Sequence, residues 1–135
     1  MKELLIIDEE VELTSKKNII YNWNSRKHNS NQINILDYID TNYVSIKKKY
    51  INYIYNIGKS NLNKKKIIDI FNIDSTHNLW IMSTLVEKCM IKSSNINHCI
   101  KLIALNEILD KENPNKIILY SKNKDLIKSI KFIAK

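Results

Sequence analysis

Glycine, proline and arginine are almost missing from this chain of 135 residues, which holds one of each. With Gly58 as its sole glycine, the sequence has neither the glycine-rich turn of a dinucleotide-binding fold nor that of a phosphate-binding P-loop. We therefore predict no nucleotide cofactor, and no other cofactor is indicated. The single arginine is Arg26.

Cysteine is also scarce, with only Cys89 and Cys99, and both fall in apolar helical patterns. Two cysteines cannot form the disulfide framework of a small secreted protein. We expect two reduced, buried thiols. The spacing of His77, Cys89, His98 and Cys99 matches no zinc motif, and no paired CxxC occurs, so no metal site is predicted.

Long apolar runs are absent as well. The N-terminal stretch MKELLIIDEE contains four consecutive apolar residues before an acidic cluster. This run is too short for a signal peptide and much too short for a transmembrane helix. The sequence therefore predicts a cytoplasmic protein with no transmembrane segment.

Positive charge is in excess, with 22 Lys and Arg against 14 Asp and Glu and a formal net charge of +8. Such a balance usually indicates nucleic acid or an anionic membrane surface as a partner. Here, however, lysine, isoleucine and asparagine are all abundant, and AT-rich codons encode all three. Readers of nucleic acid also favour arginine for its bidentate fork. A nucleic-acid partner is therefore not predicted.

Apolar patterning predicts an α/β fold in one domain over residues 1–135. The expected sheet is small and mostly parallel, with three or four strands flanked by helices. The strands are predicted at Lys2–Asp8, Asn18–Trp23, Ile33–Tyr38 and Lys116–Tyr120. The helices are predicted at residues 42–57 with Gly58 as C-cap, and at Leu62–Phe71, Thr76–Met90, Ile96–Asp110 and Asp125–Ala134.

Three acidic residues, Asp8, Glu9 and Glu10, follow the first predicted strand at the end where α/β folds place active sites. Adjacent acids on a loop are usually only solvated, so both interpretations stay open. No Ser–His–Asp order and no nucleophile elbow is present.

The segment Leu79–Leu109 reads LWIMSTLVEKCMIKSSNINHCIKLIALNEIL. Its pattern is Leu-Trp-x-Met-Ser-x-Leu-x-Glu-Lys, then Lys-Ser, then Lys-Leu-x-Ala-Leu-x-Glu-Ile. This pattern resembles the bacterial family of surface carbohydrate biosynthesis proteins, which are glycosyltransferase-like. The resemblance implies the N-terminal, acceptor-side lobe of a longer two-lobed protein in surface polysaccharide biosynthesis. It also implies a sugar or glycan acceptor, and a second lobe or partner subunit that would complete the enzyme.

Candidate catalytic residues are Glu87, Ser83 and His77. The predicted helix places Ser83 and Glu87 on one face with Trp80, where a carboxylate, a hydroxyl and an indole could line a sugar pocket. Trp80 is thus a candidate substrate-binding residue. The alternative is that Trp80 packs in the core, and that Glu87 pairs with a cation on the next helix or caps a backbone group. His77, in the first helical turn, would either bind an anion or be a surface capping residue.

Two more substrate-binding candidates, Lys92 and Ser93, precede the start of the next predicted helix. An ammonium and backbone amides could hold a phosphate there. A plain interhelical turn with a serine cap is the alternative explanation.

The competing function is a small basic non-enzymatic binding module for nucleic acid or a partner protein. Lysines clustered on one folded face would favour it, whereas lysines scattered around the fold would leave it without support.

Overall fold

The computed structural model describes residues 3–8, 19–24, 32–83 and 94–134. The chain divides into two compact units. Unit 1 comprises residues 1–43 and 101–135, and unit 2 comprises residues 44–100. Assignment of all 135 residues to one domain remains a prediction.

Unit 1 contains a four-stranded parallel sheet. Its strands are β1 (Glu3–Ile7), β2 (Ile19–Asn22), β3 (Gln32–Asn34) and β6 (Lys116–Tyr120). The strands β4 (Asn61–Leu62) and β5 (Lys65–Lys66) form a separate two-stranded sheet in unit 2. The sheet has the order β3-β2-β1-β6, and helices flank it. The predicted α/β class with a parallel sheet is confirmed.

The inner strand β1 is apolar from Leu4 to Ile7 because both faces of the sheet are covered there, as is usual for parallel sheets. Leu5 pairs in register with Ile20 on one side and Ile118 on the other. These residues and Ile7 form one hydrophobic cluster. The alternate residues of β1 are also fully buried.

Helix α1 (Ile35–Thr41) replaces most of the third predicted strand, Ile33–Tyr38. The side chain of Asn34 accepts a hydrogen bond from the Leu36 amide at 2.9 Å and so caps the helix. Asparagine is favoured at this position because its short side chain satisfies an otherwise unpaired amide. The strand therefore stops at Asn34, and the prediction was wrong beyond it.

Helix α2 (Tyr43–Lys59) buries one stripe of residues, namely Ile46, Tyr50, Ile54 and Gly58. The predicted C-cap at Gly58 is wrong, since the helix continues through Lys59 and no glycine has positive φ. Gly58 instead faces the Trp80 indole, where an added Cβ would lie 2.6 Å from Nε1. The lack of a side chain at Gly58 is what permits this close approach.

A hairpin of β4 and β5 stands where the helix Leu62–Phe71 was predicted. Asn63 and Lys64 form its two-residue turn with φ of 51° and 69°. Positive φ at both central residues is the requirement of a type I′ turn, which suits asparagine at the first of them. Only the short helix α3 (Ile67–Ile70) follows. Lys66 is the N-cap of α3, so the three lysines lie at the N-terminus of this short helix, where positive charge opposes the helix dipole.

Helix α4 (Ser94–Glu112) contains the predicted helix Ile96–Asp110, and α5 (Lys124–Ile133) matches the last predicted helix closely. Both unit boundaries lie within helices, at residues 43–44 and 100–101.

Cys99 is a free, half-buried thiol, and burial raises its pKa. Cys89 lies outside the described residues. None of the helices in the described ranges is long and apolar enough to cross a membrane.

Candidate functional site

The candidate site lies where β1, β2 and β6 end. The chain passes from β1 to β2 and β3 on one side of the sheet, whereas β6 pairs with the other side of β1. The strand order therefore reverses between β1 and β6. In open α/β sheets, ligands bind at the carboxyl ends of the strands at this switch point.

Asp8 is central to the polar groups at this edge of the sheet. Its backbone amide donates to the Tyr120 carbonyl at 2.9 Å, which extends the pairing of β1 with β6. Its two carboxylate oxygens accept hydrogen bonds from Asn24 Nδ2 and, at 2.6 Å, from Ser121 Oγ. The Asp8 side chain thus joins the ends of three strands.

Lys101 of α4 completes this network. Its Nζ donates to Asn24 Oδ1 at 2.7 Å and lies 5.6 Å from the ring centroid of Trp23. Burial lowers the pKa of the Lys101 amine, and the nearby Asp8 carboxylate partly offsets that effect. Two charged groups of opposite sign are therefore present, with an amide between them.

The buried side chain of Trp23 lies beside these polar groups. The residue is 0% exposed, and its backbone amide donates to the Ile7 carbonyl at 2.8 Å. Within the described ranges, no acceptor hydrogen-bonds its indole Nε1. Burying a hydrogen-bond donor without a partner lowers the free energy of unfolding.

We call Asp8, Trp23, Asn24, Lys101 and Ser121 the strand-end cluster. It offers a carboxylate, an amide, an ammonium and a hydroxyl beside an aromatic side chain. Because the formal charges of Asp8 and Lys101 cancel, this arrangement suits a neutral ligand with several hydroxyl groups better than a phosphate. In the described part of the chain, no three His, Cys, Asp or Glu side chains come together as a metal site.

Among the described residues, His77 lies at no helix start. The helix predicted from Thr76 is wrong over residues 76–83, which form turns. The Asp74 carboxylate accepts from the Thr76 amide at 2.7 Å and from the His77 amide at 2.8 Å, and His77 Nδ1 lies 2.9 Å from Asp74 Oδ2. Such side-chain bonds to nearby backbone compete with helix formation.

The side chain of Asn78 also bonds to nearby backbone. Its Oδ1 accepts from the Trp80 amide at 2.9 Å and from the Ile81 amide at 3.3 Å, as a capping residue does. Its Nδ2 donates to the Ile68 carbonyl at 2.8 Å. The Asn78 side chain therefore connects this segment to α3. Asn78 lies within the helix that the sequence predicted at Thr76–Met90.

Trp80 is half-buried and packs within unit 2. Its indole covers Gly58, and its ring centroid lies 6.4 Å from that of Phe71. Ser83 has a buried Oγ with no hydrogen-bond partner in the described part of the chain. Trp80 is not among the buried core residues, and the proposed roles of Trp80 and Ser83 in a sugar pocket remain predictions.

Glu87, Lys92 and Ser93 lie outside the described residues, as do Glu9 and Glu10. Their functional roles therefore remain predictions. Of the residues in the strand-end cluster, the sequence singled out only Asp8 for its chemistry, because it directly follows an apolar strand. Asn24 and Ser121 could have been identified in the same way, since each comes just after a predicted strand.

The Asp74 turn leads to a pH prediction. The amide and hydroxyl of Thr76, followed by the ring and amide of His77, lower the pKa of Asp74 from 3.8 to about 2. Since the folded-state pKa is depressed, the stabilisation is complete above the unfolded value and is lost as pH falls through the folded value. We expect Asp74→Ala to lower the melting temperature near neutral pH, with the difference from wild type shrinking between pH 3.8 and about 2.

Thermal unfolding followed by circular dichroism across this pH range would measure the effect. Asp69→Ala, at an exposed acid of α3, is the matched control. A difference between Asp74→Ala and wild type that persists undiminished at pH about 2 would contradict the assignment.

Comparison with protein-family models, curated proteins and solved structures finds no match to this chain.

Proposed function

We propose that this protein takes part in bacterial surface polysaccharide biosynthesis, as the acceptor-side lobe of a glycosyltransferase-like protein in the cytoplasm. The strand-end cluster would hold the sugar or glycan acceptor. The observation that carries this proposal is the hydrogen-bonded set of Asp8, Asn24, Lys101 and Ser121 at the switch point of a parallel sheet.

Two independent lines support the proposal. The first is the resemblance of Leu79–Leu109 to the surface carbohydrate biosynthesis family. The second is the chemistry of the cluster, whose donors and acceptors match those of a polyhydroxylated ligand. Both lines involve Lys101, which belongs to the Lys-Leu-x-Ala-Leu pattern and donates a hydrogen bond to Asn24 of the cluster.

Each polar member has a distinct part in binding a sugar. The Asp8 carboxylate accepts a hydrogen bond from a sugar hydroxyl, the Lys101 ammonium donates to a sugar oxygen, and Asn24 can do both. In a transfer reaction the attacking hydroxyl loses a proton, and Asp8 would receive it as general base. The activated donor would be held by the second lobe or by a partner subunit.

Sugar binding tests the proposal. Saturation-transfer NMR with glucose, galactose, mannose and N-acetylglucosamine would find which sugar binds, and titration would give its affinity. Asp8→Asn keeps the shape of the side chain but removes the charge and one acceptor. We expect it to weaken binding roughly tenfold to a hundredfold, the range for a hydrogen bond to a charged group.

The matched control is Asp69→Asn, which removes the same charge from an exposed position in unit 2. It should bind as wild type does, and circular dichroism should show both variants folded. If none of the four sugars binds, or if the two variants weaken binding equally, the strand-end cluster is not the acceptor site.

A further inference from the structure

Positive charge is concentrated in one part of unit 2. Residues 44–66 contain seven lysines and no aspartate or glutamate. The lysines nearest to the hairpin are Lys59, at the end of α2, and the exposed run Lys64–Lys66. Lys59 complements the dipole of its helix and lies 4.1 Å from the centroid of the Tyr55 ring. No such structural reason accounts for three adjacent like charges on a hairpin.

Exposed apolar side chains are concentrated in the same unit. Of the fifteen large apolar side chains exposed among the described residues, eleven belong to unit 2. Most of these follow α2 in sequence, among them Leu62, Ile70, Phe71, Leu79, Ile81 and Met82. Such a concentration is unusual for a surface that contacts only water.

Local contacts connect the segments that carry the lysines and these apolar residues. The Ile67 amide donates to the Ser60 carbonyl at 2.9 Å, which holds the hairpin against the end of α2. The Leu79 amide donates to the Phe71 carbonyl at 2.9 Å. Trp80 packs over Gly58, the residue before Lys59. We call the four lysines and six apolar residues the basic–apolar patch.

We propose that the basic–apolar patch binds the surface of an anionic lipid membrane. Lysines near a membrane are attracted by acidic headgroups, while adjacent aliphatic and aromatic side chains enter the boundary between headgroups and acyl chains. Tyrosine, here Tyr53 and Tyr55, suits the same interface because its ring is apolar and its hydroxyl is polar. The proposed association is peripheral, because the lysines would contact the headgroups while the apolar side chains enter no deeper than their boundary with the acyl chains.

The apolar residues distinguish this partner from nucleic acid. Phosphates would account for the lysines, and bases could stack on the tyrosines. Neither would account for exposed Leu79, Ile81 and Met82, which are aliphatic or thioether side chains. A lipid surface accounts for the cationic and the apolar residues together, and it does not depend on the proposed sugar site.

Vesicle co-sedimentation tests this inference on the full chain. The probes are vesicles of phosphatidylcholine alone and equimolar vesicles of phosphatidylcholine and phosphatidylglycerol, at low and high ionic strength. We expect binding only to the anionic vesicles and weaker binding at high ionic strength. The triple variant Lys64→Gln/Lys65→Gln/Lys66→Gln should lose about fivefold in affinity per lysine, on the order of a hundredfold in total.

Two further variants separate charge from apolar contact. Ile81→Ser/Met82→Ser should weaken binding to anionic vesicles by about tenfold or more, because buried apolar area is lost. The matched controls lie in α5 of unit 1: Lys124→Gln/Lys128→Gln/Lys131→Gln removes three exposed lysines, and Phe132→Ser removes an exposed apolar residue. Both controls should bind as wild type does.

The inference is overturned if neutral vesicles bind equally well, if no vesicle binds, or if the controls lose as much affinity as the patch variants. A fluorescent single-stranded oligonucleotide that binds to the patch in the absence of any vesicle binding would instead identify nucleic acid as the partner.

Discussion

Trp23→Ala is expected to lower the free energy of unfolding by about 3–5 kcal/mol, the usual cost of removing a large aromatic side chain from a core. Trp23 is 0% exposed and directly follows β2, whose residues pair with β1 and β3. Its removal would leave a cavity beside the strand-end cluster, so the same variant should also lose sugar binding.

Urea denaturation followed by circular dichroism would measure this loss of stability. Phe132→Ala is the control, since Phe132 is 81% exposed in α5, and it should change stability by no more than about 0.5 kcal/mol. A loss below about 1 kcal/mol for Trp23→Ala would mean that the indole is not in the core as described.

Gly58→Ala is expected to have opposite effects in two backgrounds. In the wild type, the added Cβ would come 2.6 Å from Trp80 Nε1, so the indole must move. We expect a net loss of about 1–3 kcal/mol, as for other overpacked sites. In a Trp80→Ala background the collision is gone, and alanine should stabilise the helix by about 0.5–1 kcal/mol.

A double-mutant cycle of denaturation curves gives the coupling between these two positions. Tryptophan fluorescence would report the displacement of Trp80 independently. If Gly58→Ala has the same sign in both backgrounds, Trp80 does not lie over Gly58.

The parallel sheet could be predicted because its strands carry their own signal. The apolar runs in β1 and β6 are continuous and end at polar residues, which is typical of strands buried on both faces. Strand β6 matches its predicted bounds, Lys116–Tyr120. Helix α2 was also predictable, because its buried residues recur at helical spacing over several turns. Helix α4 was predictable from its long, mostly apolar stretch between a polar start and the polar residues around Pro114.

The errors arise where a short polar side chain bonds to nearby backbone. Asn34 starts a helix inside a predicted strand, and Asp74 and Asn78 hold turns inside a predicted helix. A further error arises at Asn63, whose positive φ allows a tight turn inside another predicted helix. In each case the apolar pattern around the residue fits the wrong structure. In a chain so rich in asparagine, composition gives no indication of which asparagines cap.

The candidate site was only partly predictable for a different reason. Asp8 and Ser121 are 113 residues apart in sequence, and pairing of β1 with β6 brings them within 2.6 Å. Strand order decides that contact, and strand order is not encoded in any local pattern. Lys101 could be recognised as part of the surface-carbohydrate pattern, but its hydrogen bond to Asn24 depends on the packing of α4 in unit 1.

NMR of the indole N–H groups would show directly whether the strand-end cluster binds a sugar. The chain has two tryptophans, Trp23 and Trp80, and Trp80→Phe would assign their resonances. Titration with the sugar that binds should shift the Trp23 Nε1 resonance and leave that of Trp80 unchanged. A shift of the Trp80 resonance alone would contradict the claim and place the site in unit 2, among the residues that the sequence first suggested.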